Sequence, residues 1–232
     1  MKTKIVVTGG RGRFGSILKN IKTNFKIYYP SKKELDITKP KKIKDYLKKV
    51  KPKYVIHLAG LSRPMKLHEK YISKSISLNI IGTSYLTIAC SDLKIKLIYL
   101  STGYVYRGKE GNYKENDPVL PWNNYGWSKL GAESAVQMYK NSLIIRACMT
   151  EKPFLHKYAF NNVKCNFIFH DEFIKIFLKV LKFKGILNIG GKSQTIYSFA
   201  KKYNNKVKKK KSKGELPLNI NMSLKKVNNL VN

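Results

Sequence analysis

Short apolar runs alternate along this chain with longer stretches whose apolar positions recur every three or four residues. Lys4-Ile5-Val6-Val7-Thr8 predicts a first strand, followed by a helix from Phe14 to near Ile21. Phe25-Lys26-Ile27-Tyr28-Tyr29 predicts a short second strand. Pro40 is a favourable first-turn residue for a helix over 41–50, which Pro52 ends. Tyr54–Leu58 and Leu97–Leu100 predict two more strands, separated by one long helical stretch over 68–90. A helix over 125–140 and a strand over 142–146 continue the alternation. Strands joined by helices of this length form right-handed βαβ units, so the pattern implies an α/β fold with a doubly wound parallel sheet covered on both faces. After Arg146 the rhythm loosens. Strands are expected near 167–170 and 186–189, a helix over 172–182 capped by Asp171, and another over 195–203 capped by Ser193 or Thr195. The expected division is a main domain over 1–147 and a small, shortened α/β lobe over 148–232, with chain segments free to interleave.

Composition excludes several classes. The 232 residues suffice for one sizeable core, and no apolar stretch approaches the roughly 20 residues that span a bilayer. The first strand starts so early that no signal peptide is expected. Cys90, Cys148 and Cys165 are widely spaced, and His57, His68, His156 and His170 show no ligand pairing. Reduced thiols, a cytoplasmic location and no metal are therefore expected. The formal charge is +34, yet only five of the 47 basic residues are arginine. A nucleic-acid reader would more often use arginine forks and aromatic platforms on one surface, so no specific nucleic-acid partner is expected, and no membrane. The run Lys206–Lys213 reads as a solvated loop.

The chemistry begins at Thr8-Gly9-Gly10-Arg11-Gly12-Arg13-Phe14-Gly15, directly after the first strand. Glycines spaced by three where a strand turns into a helix let the backbone approach a pyrophosphate closely. A second constellation is Tyr125-Gly-Trp-Ser-Lys129. Residues i and i+4 share a helix face, so phenol and ammonium can point into one cleft. Tyr28, Tyr29 and Tyr197 also have a lysine four residues on. Only Tyr125 follows Ser101-Thr102 at a strand end, where open α/β sheets place ligands. Hydride transfer to a ketone leaves an alkoxide needing a proton; Lys129 would lower the phenol pKa, and Thr102 would orient the reacting oxygen.

Taken in order, these residues resemble extended short-chain dehydrogenase/reductases, and within them the dTDP-4-dehydrorhamnose reductase family of sugar-nucleotide enzymes. The resemblance is carried by the glycine turn, Leu35-Asp-Ile-Thr38, His57-Leu-Ala-Gly60, Asn79-Ile-Ile-Gly-Thr83, Leu100-Ser-Thr-Gly-Tyr-Val-Tyr106 and Tyr113–Pro118. It continues through Asn124–Glu133, Ile145-Arg146, Gly185–Gly191, Tyr197–Ala200 and Pro217–Leu224. It implies a Rossmann-type fold with a reduced C-terminal substrate lobe. It makes Thr102, Tyr125 and Lys129 the catalytic residues. Gly9, Gly12, Arg13, Phe14, Gly15, Asp36, Ile37, Ala59 and Gly60 would bind the cofactor with Tyr125 and Lys129. Ser101, Thr102, Tyr125 and Arg146 would contact the substrate. Asp36 could instead cap the helix near Pro40, and Asn79 could serve helix packing rather than the active site.

Where an acid after the second strand would select NAD, this chain has Tyr28-Tyr-Pro-Ser-Lys-Lys33. Ser31, the lysines, Arg11 and Arg13 suit a 2′-phosphate, so NADP(H) is favoured with NAD(H) as the alternative. Many relatives have aspartate directly after the catalytic threonine; here it is Gly103, which argues against dehydration. The segment after Arg146 also departs from the family and is followed by a short insert. The expectation is NAD(P)H-dependent reduction of the 4-keto group of a nucleotide-linked deoxy sugar for surface polysaccharide. A sugar-nucleotide epimerase and a non-catalytic nucleotide-binding subunit stay open. The helix holding Tyr125 could serve a homodimer, as in relatives.

Overall fold

The structure is a computed structural model describing residues 1–231, and the chain folds into two compact units that exchange segments. The first unit comprises Met1–Ser101, Asn123–Ile144 and Phe183–Gly185. Its elements run β1 (Lys4–Thr8), α1 (Arg13–Lys19), β2 (Lys26–Tyr28), α2 (Pro40–Val50), β3 (Tyr54–His57), α3 (Lys66–Lys70), α4 (Ile72–Ser75), α5 (Gly82–Asp92), β4 (Lys96–Leu100), α6 (Asn124–Gln137) and the first half of β5 (Ser142–Ala147), whose remainder belongs to the second unit. The strands lie in the order β2-β1-β3-β4-β5. The register is parallel, with Ile5 opposite Ile27 and Tyr54, and Val55 opposite Leu97. Ile5, Val6, Val7, Val55, Leu97 and Ile98 are completely buried although neighbours along a strand face opposite ways. Both faces of the sheet are therefore covered, as a doubly wound Rossmann-type fold requires.

Helix α2 shows how local pattern becomes packing. Ile43, Leu47 and Val50 repeat at helical spacing and are its buried residues. The helix ends at Lys51 in the left-handed region (φ 51), just before Pro52. The long helix expected over 68–90 is broken. Tyr71, at φ −125 and ψ 62, separates α3 from α4, and Ile76–Ile81 winds as a π-helix before α5. A π turn admits an extra residue where a side chain is pulled out of line, and the residue concerned here is Asn79.

The second unit comprises Thr102–Trp122, Ile145–Lys182 and Ile186–Asn232. Its elements are β6 (Met149–Thr150), β7 (Tyr158–Phe160), β8 (Lys164–Cys165), β9 (Ile168–Phe169), α7 (His170–Lys179), β10 (Gly185–Ile189), β11 (Gln194–Thr195), α8 (Ile196–Lys201), β12 (Lys208–Lys210) and α9 (Lys225–Val231). The core includes Phe154, Val163, Cys165, Phe169, Phe199 and Ile220. The Thr195 hydroxyl accepts from the Ser198 amide at 3.0 Å and caps α8 as expected. Helix α7 instead begins behind Phe169, so Asp171 lies within its first turn rather than at its cap. The Lys206–Lys213 run is not a plain loop. Its β12 pairs in parallel with β7, with Val207 buried at its start. Lys210 and Lys209 set their ammonium groups over Phe160 and Tyr197, each 5.4 Å from the ring centre. Lysine stems cover aromatic surface while the charges stay wet, and a run of identical residues shows no period that would reveal a strand.

Candidate active site

The turn after β1 is built on steric necessity. Gly9 has φ +70, and a Cβ there would lie 2.6 Å from the Ala59 nitrogen. A Cβ on Gly15 would fall 2.7 Å from the Gly10 Cα. Gly12 closes the turn by donating its N–H to the Gly9 carbonyl at 2.9 Å and then caps α1. Phe14 anchors that helix in the core, while Arg11 and Arg13 are exposed. These glycines leave a cradle that any side chain would fill, and such a cradle fits the pyrophosphate of a dinucleotide.

A directed chain of hydrogen bonds locks this turn to β3 and the following helices. The Ala59 amide donates to Thr8 Oγ1 at 3.3 Å, and the Thr83 hydroxyl donates to the Asn79 carbonyl at 2.6 Å. His57 lies between them, with Nδ1 2.7 Å from Thr8 Oγ1 and Nε2 2.9 Å from Thr83 Oγ1. The Thr83 hydroxyl proton is committed, so Nε2–H donates to Thr83 and the Thr8 hydroxyl donates to Nδ1. The imidazole is neutral. Burial, with the Lys129 charge adding to it, pushes its pKa down to about 3.

Asn79 joins the end of this chain. Its Oδ1 accepts from the Leu61 amide at 2.7 Å, and its Nδ2 donates to the Leu61 carbonyl and to Ser128 Oγ, both at 2.9 Å. Asn79 thus clamps the loop after Gly60 to α6. The helix-packing role is the one these contacts describe, and the packing is against the helix that carries Tyr125.

Helix α6 starts where Asn123 Oδ1 accepts from the Gly126 amide at 2.8 Å, which places Tyr125 in the first turn and Lys129 one turn on. The Tyr125 ring meets His68 edge-on at 5.1 Å. The Lys129 ammonium lies 4.1 Å from the centre of the Tyr99 ring. Burial lowers the Lys129 pKa to about 7, and the Glu133 carboxylate one turn further on opposes the drop. Glu133 is wholly buried and accepts a hydrogen bond from Ser101 Oγ. Ser101, expected at the substrate, is therefore held by α6 through its hydroxyl. Asp36 Oδ1 accepts from the Thr38 amide at 2.9 Å and its hydroxyl at 2.8 Å, whereas Lys39 is the cap residue of α2. Burial raises the Asp36 pKa, but those two hydrogen bonds outweigh it and hold the carboxyl below its usual range. Ile37 is buried beside Gly82.

Thr102 and Arg146 belong to the second unit. Thr102 is buried, and its hydroxyl oxygen accepts from the Tyr104 amide at 3.3 Å, capping the short turn Gly103–Val105. Arg146 is buried too. Its Nη1 donates to the Tyr106 hydroxyl at 2.9 Å and the Glu115 carbonyl at 3.2 Å. A Cβ on Gly103 would meet Cys148 Sγ at 2.8 Å and Met222 Sδ at 3.2 Å. The glycine after Thr102 and the unusual Ala147-Cys148-Met149 segment are therefore one packing arrangement.

A family model described as RmlD substrate binding domain matches residues 3–150. The chain belongs to this RmlD family. It is 30% identical over 148 residues to the spore coat polysaccharide biosynthesis protein SpsK of Bacillus subtilis (strain 168), covering 62% of this chain and 52% of that protein. It is 28% identical over 191 residues to a dTDP-4-dehydrorhamnose reductase of Aggregatibacter actinomycetemcomitans, covering 80% and 60%. The chain thus spans between about half and three fifths of the length of these two relatives. The structure of a dTDP-4-dehydrorhamnose reductase from Bacillus anthracis str. Ames in complex with NADP superposes with a TM-score of 0.87 at 21% identity, over 98% of this chain and 91% of that one.

Residue spacing pointed to Gly9, Gly12, Gly15, Tyr125 and Lys129. It did not point to His57, Thr8, Thr83, Tyr99 or Glu133, which hold those residues in place. Glu133 is also the next i+4 position after Lys129 on the same helix face, while Thr8, His57 and Thr83 stood in the sequence only as members of the motifs that carry the resemblance.

Proposed function

We propose that this chain is an NADP(H)-dependent reductase of the 4-keto group of a nucleotide-linked deoxy sugar, supplying a precursor for surface polysaccharide. The observation that carries the reading is the Tyr125–Lys129 pair on α6, with the ammonium seated on Tyr99 and countered by buried Glu133. The names of the relatives, a dTDP-4-dehydrorhamnose reductase and a polysaccharide biosynthesis protein, support the substrate class. The NADP in the superposed structure supports the cofactor.

A bound nicotinamide would supply the hydride. Gly9, Gly12 and Gly15 would hold the pyrophosphate, with Asp36 and Ile37 along the adenine and Ala59-Gly60 along the groove. As the carbonyl oxygen gains negative charge, the Tyr125 hydroxyl gives it a proton and the resulting phenolate is refilled from solvent. The Lys129 ammonium stabilises that phenolate, so the phenol becomes a competent acid near neutrality. By the family resemblance, Thr102 would be the hydroxyl that orients the same oxygen. Arg146 and Ser101 would act on the substrate through the elements they brace.

The test is NADPH oxidation with a dTDP-4-keto-6-deoxyhexose, alongside fluorescence titration of cofactor binding. Tyr125→Phe and Thr102→Ala are expected to lower turnover by at least about a thousandfold while cofactor affinity changes little. Substantial turnover in Tyr125→Phe would sink the assignment, and turnover without net NADPH consumption would mark an epimerase.

A further inference from the structure

The end of β2 lies against the glycine turn. Strand β1 pairs with β2 through Val6 and Tyr28, and a Cβ on Gly10 would strike the Tyr29 ring at 2.4 Å. This is where a Rossmann-type fold reads the adenosine ribose: a carboxylate accepts from the 2′-hydroxyl of NAD, or basic and donor groups receive the 2′-phosphate of NADP. Ser31, two residues beyond Tyr29, offers two such donors. Both are already taken. The Ser31 amide and hydroxyl donate to the same oxygen, Glu34 Oε2, at 2.7 and 2.8 Å. The Glu34 amide points back to Ser31 Oγ at 3.4 Å, which completes a reciprocal turn of the S-x-x-E kind.

Here the turn closes on a charged oxygen, and the positive charges of Lys49 on α2 and Arg11 in the glycine loop act on it. The Ser31 amide and hydroxyl hold the Glu34 carboxyl below the usual carboxylate range, so it is an anion at neutral pH. An anion is thus held by an amide, a hydroxyl and nearby cations, which is the donor set a phosphate monoester also recognises.

We propose that Glu34 is an internal anion occupying the seat of the ribose 2′-phosphate, and that it sets cofactor choice. A phosphorylated dinucleotide must displace Glu34 from Ser31 or bear its repulsion, whereas an unphosphorylated one leaves the turn closed. The basic residues around the turn pull toward NADP(H), and Glu34 holds that preference in check. This proposal rests on the dinucleotide reading of the glycine turn.

Glu34→Gln separates charge from shape, since the Gln carbonyl still accepts from Ser31 and keeps the turn. Binding of NADPH and NADH is measured by fluorescence titration, and binding of adenosine 2′-monophosphate and 5′-monophosphate by calorimetry, at moderate salt. The expected result is a tightening of about five- to tenfold for NADPH and the 2′-monophosphate, as removal of one nearby charge implies. NADH and the 5′-monophosphate should change less than about twofold. Adding Ser31→Ala to Glu34→Gln should reverse the gain for the 2′-phosphorylated ligands only. Equal changes for both ligand pairs, or none, overturn the proposal and leave the dinucleotide reading standing. Failure of wild-type protein to bind either dinucleotide overturns both.

Discussion

His57 is the residue on which the site's rigidity can be read most directly. Its ring nitrogens are fully engaged with Thr8 and Thr83, and its pKa lies at about 3 against an ordinary value near 6.5. As pH falls below about 6.5 the unfolded chain takes up a proton that the folded chain refuses. The His57 contribution to stability is therefore complete above that pH and is lost as pH drops toward 3. The loss reaches an upper bound of roughly 4–5 kcal/mol, at about 1.4 kcal/mol per unit. His57→Gln should lower stability at neutral pH by about 1–3 kcal/mol, because two buried hydroxyls lose ideal partners. It should also flatten the fall between about pH 6.5 and 4, as measured by urea midpoints across that range. An unchanged acid slope would mean that another group senses the proton. Nothing local in the sequence announces this role. Tyr125 and Lys129 could be picked out because they lie one helical turn apart and shortly after Ser101-Thr102 at a strand end. His57 meets Thr8 across 49 residues and Thr83 across 26, a pairing that exists only once β1, β3 and α5 are assembled.

At the scale of elements, the strands of the sheet were the most legible part, since Ile5–Val7, Val55-Ile56 and Leu97-Ile98 are apolar throughout and bounded by turns. The stretch over 68–90 was not. Its apolar spacing suits an unbroken helix, yet Tyr71 interrupts it, and the π turn that follows carries Asn79, whose partners Leu61 and Ser128 lie on other elements. The turn after β4 shows the same dependence. Gly103 reads in sequence as a missing aspartate, yet the structure gives the physical reason, because Cys148 and Met222 sulfurs stand where a side chain would go. Gly103→Asp should therefore cost about 2–4 kcal/mol, from overpacking and from burying a carboxylate against two sulfurs. Cys148→Ala should be mild alone and should recover part of that loss in the double variant, a coupling that a double-mutant cycle in urea measures. Strict additivity of the two changes would show that the fit between the turn and the segment after β5 is looser than these contacts imply.

Over the whole molecule the dominant quantity is charge. Forty-seven basic residues face thirteen acidic ones, leaving +34, and pairs such as Lys44–Asp92 at 2.9 Å and Lys210–Glu215 at 2.8 Å use carboxylates that are already scarce. Such exposed pairs contribute about 0–1 kcal/mol each, so they do not offset the mutual repulsion of the remaining lysines. Salt acts on these two terms with opposite signs. It weakens the few attractions, which lowers the melting temperature, and it screens the many repulsions, which raises it. With lysines in such excess the second effect wins. Raising NaCl from about 20 mM to about 300 mM shortens the screening length from about 20 Å to about 6 Å, so it should raise Tm by a few degrees. The same screening should release the protein from heparin, where attraction is a property of the field. Dinucleotide binding should survive that salt, because the Gly9–Gly15 cradle holds a ligand by shape and backbone donors as well as by charge. A scan of Tm, heparin elution and NADPH affinity across one salt series separates the three. A Tm that falls with salt would mean that the lysines are arranged around their few partners far more favourably than the net charge suggests. An NADPH affinity that vanishes alongside heparin binding would reduce the dinucleotide to one more polyanion drawn by the field.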